Sequence, residues 1–142
     1  MKQITTTNRI AVDTNILVYL HEETPSFKCG ISKFIIENLP VISSQVISEY
    51  INVLNRLLRP PKTVLIDHCT ILTEDCTIIG MDHEIMLKAR ELVVRYDFQV
   101  FDSIVIASAL QADCEIFYSE DFQHYFVVEN QLTIINPYLE LR

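Results

Sequence analysis

The chain has 142 residues, of which 49 % are hydrophobic, two are glycine and five are proline. This composition predicts one folded domain over residues 1–142 with a substantial apolar core, and it argues against disorder or low complexity. Nineteen acidic residues against eleven basic ones give a formal net charge of −8. That balance argues against a simple basic groove for nucleic acid, but it fits a cation site or a basic partner.

No apolar run approaches the roughly 18–20 residues needed to cross a bilayer, and the N-terminal segment lacks the apolar region of a signal peptide. We therefore expect a soluble cytoplasmic protein that does not act at a membrane. The cysteines and histidines show no zinc-ligand spacing. The cysteines are expected to be reduced and to pack as small hydrophobic residues; they are Cys29, Cys69, Cys76 and Cys114.

Short apolar runs alternate with helical periodicities along the chain. The run over 9–13 is typical of a buried strand, and it leads through a turn over 13–15 into "ILVYL" (16–20), a helix or a short continuation. The segment "PSFKCGISKFII" (25–36) predicts a helix that begins with proline, and "PVIS" (40–43) predicts a second strand.

The second half of the chain predicts four helices and three strands. Ser43 or Ser44 can cap a helix that ends at Pro60-Pro61, and Asp82 can cap another. Asp102 opens a very apolar helix, for which it is a plausible N-cap. In chain order, the elements are helices over 44–59 and 62–73, a strand over 76–80, helices over 83–96 and 102–112, and strands over 115–119 and 132–136.

Strands that alternate with helices indicate an α/β fold with a mainly parallel sheet, in which ligands bind at the carboxyl ends of the strands. Four acidic residues suit that edge: Asp13 and Asp121 after strands, Asp102 at a helix start and Glu49 one to two turns into its helix. Each has an ordinary structural explanation when taken alone, as a turn, cap or surface residue. Only the combination points to a site.

Four segments carry a family resemblance in their order and spacing: "VDTNILVY" (12–19), "SSQVISEY" (43–50), "FDSIVIASAL" (101–110) and "YSEDF" (118–122). With the "INPY" ending at 135–138, they resemble the signature segments of PIN-domain nucleases, and in particular the VapC-type toxins of toxin–antitoxin pairs. The resemblance covers essentially the whole chain. It implies a three-layer α/β/α sandwich that hydrolyses RNA with one or two Mg²⁺ or Mn²⁺ ions.

The resemblance also implies a set of site residues. The acidic residues that act in catalysis and hold the metal would be Asp13, Glu49, Asp102 and Asp121, with Glu120 beside the last of them as a further candidate ligand. Hydrogen bonds from Asn15, Ser119 and Thr14 would support these acids. Relatives of this kind work as homodimers and are silenced by an antitoxin whose basic residue enters the acidic site, so both partners are expected here.

Elementary chemistry agrees with this interpretation. Crowded carboxylates repel one another, and hard carboxylate oxygens prefer Mg²⁺ or Mn²⁺, which relieve the repulsion. Such an ion can activate water toward a phosphodiester and also offsets the repulsion between an acidic site and a polyanion. Metal-dependent endoribonuclease activity is therefore the leading hypothesis.

Basic residues that could bind RNA are Arg9, Arg56, Arg59 and Lys62, with Lys88, Arg90 and Arg95 on a later helix. Ordinary surface charge explains them equally well. Tyr19, Tyr50 and Phe101 could stack on bases, or they could pack in the core.

Three alternatives are weighed against the nuclease. A catalytically silent PIN-like module that binds RNA or a protein stays open, because the chain is not basic. A response-regulator receiver would need paired acids after the first strand and a lysine after a later one, but "AVDTN" has one acid and "YSEDF" has no lysine. A haloacid-dehalogenase-type phosphatase would need two aspartates one residue apart, and Asp13 is followed by Thr14 and Asn15.

Overall fold

The structure, a computed structural model, describes residues 9–24 and 26–140. Within those ranges, every helix is too short or too polar to cross a membrane. The proline at which the second helix was predicted to begin, Pro25, lies outside the described residues.

A six-stranded sheet forms the centre of the fold, in the order β3-β2-β1-β4-β6-β5. All neighbouring strands are parallel except β5, which runs antiparallel to β6. The strands are β1 (Ile10–Val12), β2 (Val41–Ser43), β3 (Thr77–Ile79), β4 (Ile116–Tyr118), β5 (Val127–Val128) and β6 (Leu132–Ile135). The predicted α/β sandwich with a mainly parallel sheet is therefore confirmed.

In the part of the chain that the structure describes, seven helices surround the sheet. They are α1 (Thr14–Val18), α2 (Phe27–Glu37), α3 (Ser44–Leu58), α4 (Lys62–Asp75), α5 (His83–Tyr96), α6 (Val100–Gln111) and α7 (Pro137–Glu140). A 3-10 turn over Tyr19–His21 extends α1. Helix α5 packs along α6, while α1 and α4 both pack against α3.

Burial explains the two kinds of apolar pattern in the sequence. The central strands β1, β2 and β4 are buried at every position, as expected for strands covered on both faces. Helix α6 is buried at eight consecutive residues, 103–110, so its apolar residues surround the whole helix instead of forming one stripe. The carboxyl ends of β1 and β4 are thereby held in a tightly packed interior.

The predicted role of Asp102 as an N-cap is wrong. Helix α6 begins at Val100, with Gln99 in extended backbone conformation at the N-cap, and the Ser103 amide donates to the Gln99 carbonyl at 2.9 Å. Asp102 therefore lies in the first turn, where its side chain is not needed for capping. Strand β5 and helix α7 were not predicted, because two and four residues are too few to produce a periodic pattern.

We expect Leu92→Ala to destabilise the fold by about 2–5 kcal/mol, because Leu92 on α5 is fully buried and its truncation leaves a cavity. Val94 lies on the same helix but is 73 % exposed, so Val94→Ala should change stability by less than about 0.5 kcal/mol. Urea unfolding of the two variants measures both values. Equal effects would contradict the orientation of α5.

Candidate active site

The carboxyl ends of β1 and β4 meet at Asp13. The Asp13 amide donates to the Tyr118 carbonyl at 2.9 Å, so the first residue after β1 is paired with the last residue of β4. One residue further, the Ser119 hydroxyl donates to Asp13 Oδ2 at 2.7 Å in a buried hydrogen bond. The Thr14 amide at the start of α1 donates to Asp13 Oδ1 at 2.8 Å. Both oxygens of this buried carboxylate are therefore fixed.

Glu49 reaches the same place from α3. The Thr14 hydroxyl donates to Glu49 Oε2 at 2.7 Å. The side-chain amide of Gln45, one helical turn earlier, donates to Glu49 Oε1 at 3.4 Å. Thr14 therefore contacts two of the predicted acids: its amide binds Asp13, and its hydroxyl binds Glu49. These are the two contacts through which Thr14, predicted to support the acids, would do so.

Asp121 is placed by the two other residues that were predicted to support the acids. Its amide donates to the Ser119 hydroxyl oxygen at 3.1 Å, and the Asn15 side-chain amide donates to Asp121 Oδ2 at 3.1 Å. Ser119 therefore joins Asp13 to the Asp121 segment. The other polar atom of the Asn15 side chain, Oδ1, is buried and has no hydrogen-bond partner among the described residues.

Asp102 completes the group from the first turn of α6, where it is partly buried. Burial raises the pKa of its carboxyl group, and the charges of Glu49 and Asp121 raise it further. Asp102 therefore lies close enough to Glu49 and Asp121 to interact with both of their charges.

Burial also raises the pKa of Asp13, to about 6. The hydrogen bonds from Ser119 and Thr14 oppose this shift, while the charges of Asp121 and Glu49 add to it. Desolvation therefore outweighs the hydrogen bonds that stabilise the carboxylate. A cation beside Asp13 would reverse this balance.

A cleft of about 470 Å³ opens beside this group. Glu49 and Asp121 line it together with residues of α1, α3 and the 3-10 turn: Thr14, Asn15, Val18, Tyr19, Asn52 and Val53. The two acids face a space large enough to admit solvent or a part of a ligand. Asp13 lies behind them, buried among its hydrogen-bond donors.

The donor set fits a hard divalent cation in its chemistry. Four carboxylates, of which Asp13 and Asp102 have raised pKa values, and an amide oxygen left without a donor provide oxygen ligands and an unbalanced negative charge. Their spacing is more open than a closed cage, since within 9–24 and 26–140 no three His, Cys, Asp or Glu side chains converge on one point as metal ligands. Mg²⁺ suits such an open arrangement, because it binds proteins through one or two carboxylates and keeps several waters.

Glu120 is bound by Tyr19 and Lys28. Its Oε1 accepts a hydrogen bond from the Tyr19 hydroxyl, and its Oε2 accepts one from Lys28 Nζ at 3.0 Å. Both carboxylate oxygens are therefore engaged outside the group formed by Asp13, Glu49 and Asp121.

The predicted RNA-binding residues separate into two places. Arg9 precedes β1 and contacts Cys114, so it lies at the opposite end of the strand from Asp13. Arg56 is exposed on α3, three and four residues beyond the cleft residues Val53 and Asn52, and therefore continues the cleft-facing stripe of that helix. Arg59 and Lys62 are exposed just beyond it, at the break between α3 and α4.

Of the aromatic residues considered for stacking, Tyr50 is buried, and its hydroxyl lies 2.5 Å from His21 Nε2, so it belongs to the core. Tyr19 lines the cleft, and Phe101 is exposed beside Asp102.

Sequence reasoning missed three residues of the site. Gln45 could have been found, because a residue four positions before Glu49 lies on the same helical face. Asn52, three positions after Glu49, follows from the same rule. Lys28 carries no local signal, since its partner Glu120 is 92 residues away along the chain.

Comparisons with known proteins identify the family of this fold. Residues 10–127 match the profile of the PIN domain. Since these residues make up most of the chain, the chain belongs to the PIN domain family. No curated protein sequence matches significantly.

Solved structures share the fold at low sequence identity. Mycobacterium tuberculosis VapC20, a sarcin–ricin-loop-cleaving toxin, is 21 % identical with a TM-score of 0.64, over 80 % of this chain and 91 % of that one. A toxin–antitoxin complex from Klebsiella pneumoniae is 18 % identical with a TM-score of 0.68, over 91 % and 98 %. VapBC2 from Rickettsia felis, bound to a promoter DNA fragment, is 16 % identical with a TM-score of 0.65, over 89 % and 98 %.

The raised pKa of Asp13 predicts a pH-dependent stability without added metal. Between the ordinary value of 3.8 and about 6, the native carboxyl group binds more protons than the unfolded one, so the free energy of unfolding falls as pH rises through this window. Above pH 6, Asp13→Asn should therefore stabilise the protein in EDTA by up to about 2–3 kcal/mol. Near pH 4 the variant and the wild type should differ little.

Chemical unfolding at pH 4 and pH 8 in EDTA measures the effect. Asp113→Asn is the control, since Asp113 is exposed at the far end of α6 in a left-handed conformation that asparagine tolerates. A destabilised Asp13→Asn variant at pH 8 would show that the negative charge of the Asp13 carboxylate is already compensated in the metal-free protein.

Proposed function

We propose that this chain is a divalent-metal-dependent endoribonuclease, the toxin of a VapBC-like toxin–antitoxin pair. The observation that carries the proposal is the grouping of Asp13, Glu49, Asp102 and Asp121 at one end of the sheet, beside a cleft that Glu49 and Asp121 line. Membership of the PIN domain family and the fold shared with VapC toxins support it.

The four acids would hold one or two Mg²⁺ or Mn²⁺ ions, in part through bound waters. Such an ion lowers the pKa of a bound water and offsets the charge of a phosphodiester group. The chain's own residues prepare the site. Thr14, Asn15 and Ser119 fix the orientation of the carboxylates through hydrogen bonds at 2.7 to 3.1 Å. Burial of Asp13 keeps its oxygens away from bulk solvent, which strengthens their attraction for a cation.

The expected partners follow from the same site. RNA is the proposed substrate, and a phosphate of the RNA strand would lie in the cleft beside Glu49 and Asp121. Two of the similar structures are toxin–antitoxin complexes, and an arginine of an antitoxin would find charge-assisted hydrogen bonds among these acids. A homodimer is proposed from the family resemblance.

One observation favours the catalytically silent module as a second candidate. Among the described residues, no three acidic, histidine or cysteine side chains converge as a ready-made metal site. A silent module would bind RNA or a protein without needing the ion. Calorimetric titration with Mn²⁺ separates the two candidates, because the nuclease requires measurable binding that Asp13→Asn and Asp102→Asn weaken.

We expect Asp13→Asn or Asp102→Asn to lower the rate of Mg²⁺-dependent RNA cleavage by more than about 100-fold, since each removes a negative ligand whose ion supplies several kcal/mol of transition-state stabilisation. Each variant should keep the fold by circular dichroism, because asparagine has nearly the same shape. A fluorescent single-stranded RNA measures the rate, and EDTA should abolish it in the wild type.

Asp113→Asn is again the matched control, as it changes the same functional group at the opposite end of α6. It should cleave RNA at the wild-type rate. Full activity of Asp13→Asn, or undiminished activity in EDTA, would refute a metal-dependent mechanism at this site.

We expect Arg56→Ala to weaken RNA binding, because Arg56 continues the cleft-facing stripe of α3. Affinity for single-stranded RNA, measured in the Asp102→Asn background, should fall by about 3–10-fold, and the slope of log K against log salt should shrink by about 0.7. Arg9→Ala, at the other end of β1, should change neither quantity. Equal effects of both substitutions would place the RNA elsewhere.

A further inference from the structure

Lys28 lies against a pair of aromatic rings beside the cleft. This lysine lies in the first turn of α2, and its Nζ donates to the Tyr19 hydroxyl at 3.1 Å and to Glu120 Oε2 at 3.0 Å. The same ammonium lies 4.8 Å from the ring centroid of Tyr19 and 5.3 Å from that of Tyr138. Its position is therefore fixed by hydrogen bonds and by cation–π contacts together.

The aromatic side of this arrangement is itself anchored. The rings of Tyr19 and Tyr138 meet edge-to-face with centroids 5.0 Å apart, and the buried Tyr138 hydroxyl shares a 2.8 Å hydrogen bond with Ser32. Residues from α2, α7 and the 3-10 turn thus surround one cation. This ion pair is more constrained than an ordinary surface salt bridge, which holds two flexible side chains in water.

Glu120, the partner of Lys28, lies in the chain between a residue that supports the acidic group and a member of that group. Ser119 before it binds Asp13, and Asp121 after it lines the cleft. The Glu120 carboxylate instead binds Lys28 and Tyr19, which occupy both of its oxygens. Without the cation, an unpaired carboxylate would remain directly beside Asp121.

We propose that Lys28 is a positioning residue that keeps the Glu120 carboxylate out of the acidic group. Asp121 is then the one carboxylate of the segment 119–121 that faces the cleft. The inference rests on the proposed function, because it concerns the charge that the metal and the RNA meet. Release of Glu120 would add a fifth carboxylate. The added negative charge would strengthen binding of a divalent cation and weaken binding of a polyanion.

A second ion pair of the chain provides a closely matched control. Lys88 and Glu129 are also 3.0 Å apart, with side chains 35 % and 21 % exposed, against 32 % and 24 % for Lys28 and Glu120. The Lys88 pair lines a separate pocket with residues of α5 and α6, away from the acidic group. Lys88→Met therefore removes this ion pair, together with the exposed one that Lys88 forms with Glu91 at 2.8 Å, without touching the acidic group.

The experiment compares four variants of the full chain with the wild type: Lys28→Met, Lys28→Arg, Lys88→Met and the double variant Lys28→Met/Glu120→Gln. Mn²⁺ affinity is measured by calorimetry, kcat and KM with single-stranded RNA, and folding by thermal melting. Lys28→Met should bind Mn²⁺ about 5-fold more tightly and raise KM about 5-fold, with a smaller change in kcat, as expected for one added charge at a site near the surface.

The double variant should return both values to within about 2-fold of the wild type, because Glu120→Gln removes the released charge. Lys28→Arg should behave like the wild type, as arginine keeps the cation. Melting temperatures of Lys28→Met and Lys88→Met should be lowered by similar amounts, which separates the effect on the site from loss of an ion pair.

Two results would overturn the inference while leaving the proposed function intact. Unchanged Mn²⁺ affinity in Lys28→Met, equal to that of Lys88→Met, would show that Glu120 stays outside the acidic group unaided. A raised KM that persists in the double variant would show that Lys28 binds RNA itself. A wild-type protein that neither binds Mn²⁺ nor cleaves RNA would refute the proposed function and the inference with it.

Discussion

The hydrogen bond from the Ser119 hydroxyl to the Asp13 carboxylate joins the ends of two neighbouring parallel strands, and the arrangement of the site depends on it. Ser119 also accepts from the Asp121 amide, so one hydroxyl group fixes a buried acid and the segment that carries an exposed one. The Asp13 backbone pairing with Tyr118 sets the register that makes this contact possible. Position on the sheet and orientation of the acids are thus established by the same few atoms.

This arrangement brings together charges that repel. The pKa values of Asp13 and Asp102 are both raised, and in each case the negative charges nearby add to the effect of burial. A fold that only needed stability would place apolar or neutral groups at these positions. The chain instead keeps a group of carboxylates that is unfavourable by itself and that a bound cation would make favourable. Strain of this kind is typical of functional sites.

The sequence was sufficient for those parts of the site that depend on local pattern. Asp13 and Asp121 follow apolar runs that read as strands, and the carboxyl ends of parallel strands meet at one edge. The position of Glu49 one to two turns into α3 followed from helical periodicity. The start of α6 was predicted two residues too late. Its N-cap residue, Gln99, makes no side-chain hydrogen bond to the helix, and the apolar sequence that follows gives no other sign of where the helix begins.

Contacts between distant parts of the chain could not be predicted. Thr14 and Glu49 are separated by 35 residues, and Lys28 and Glu120 by 92. Which of two adjacent acids, Glu120 or Asp121, faces the cleft depends on which neighbours the fold brings to each side of that segment. Nothing in "YSEDF" itself decides this, because both acids carry the same charge and both follow the end of β4.

The central position of β1 has a consequence for how the protein folds. This strand comes first among the described elements, yet its neighbour β4 follows roughly a hundred residues later, and the Ser119–Asp13 contact spans 106 residues. Pairings of such high contact order form slowly. At a synthesis rate of about 5–20 residues per second, Asp13 and Ser119 leave the ribosome roughly 5–20 s apart. For the later part of that interval a nascent chain carries Asp13 and Glu49 without the residues that complete the acidic group, so this group forms only when the sheet closes around β1.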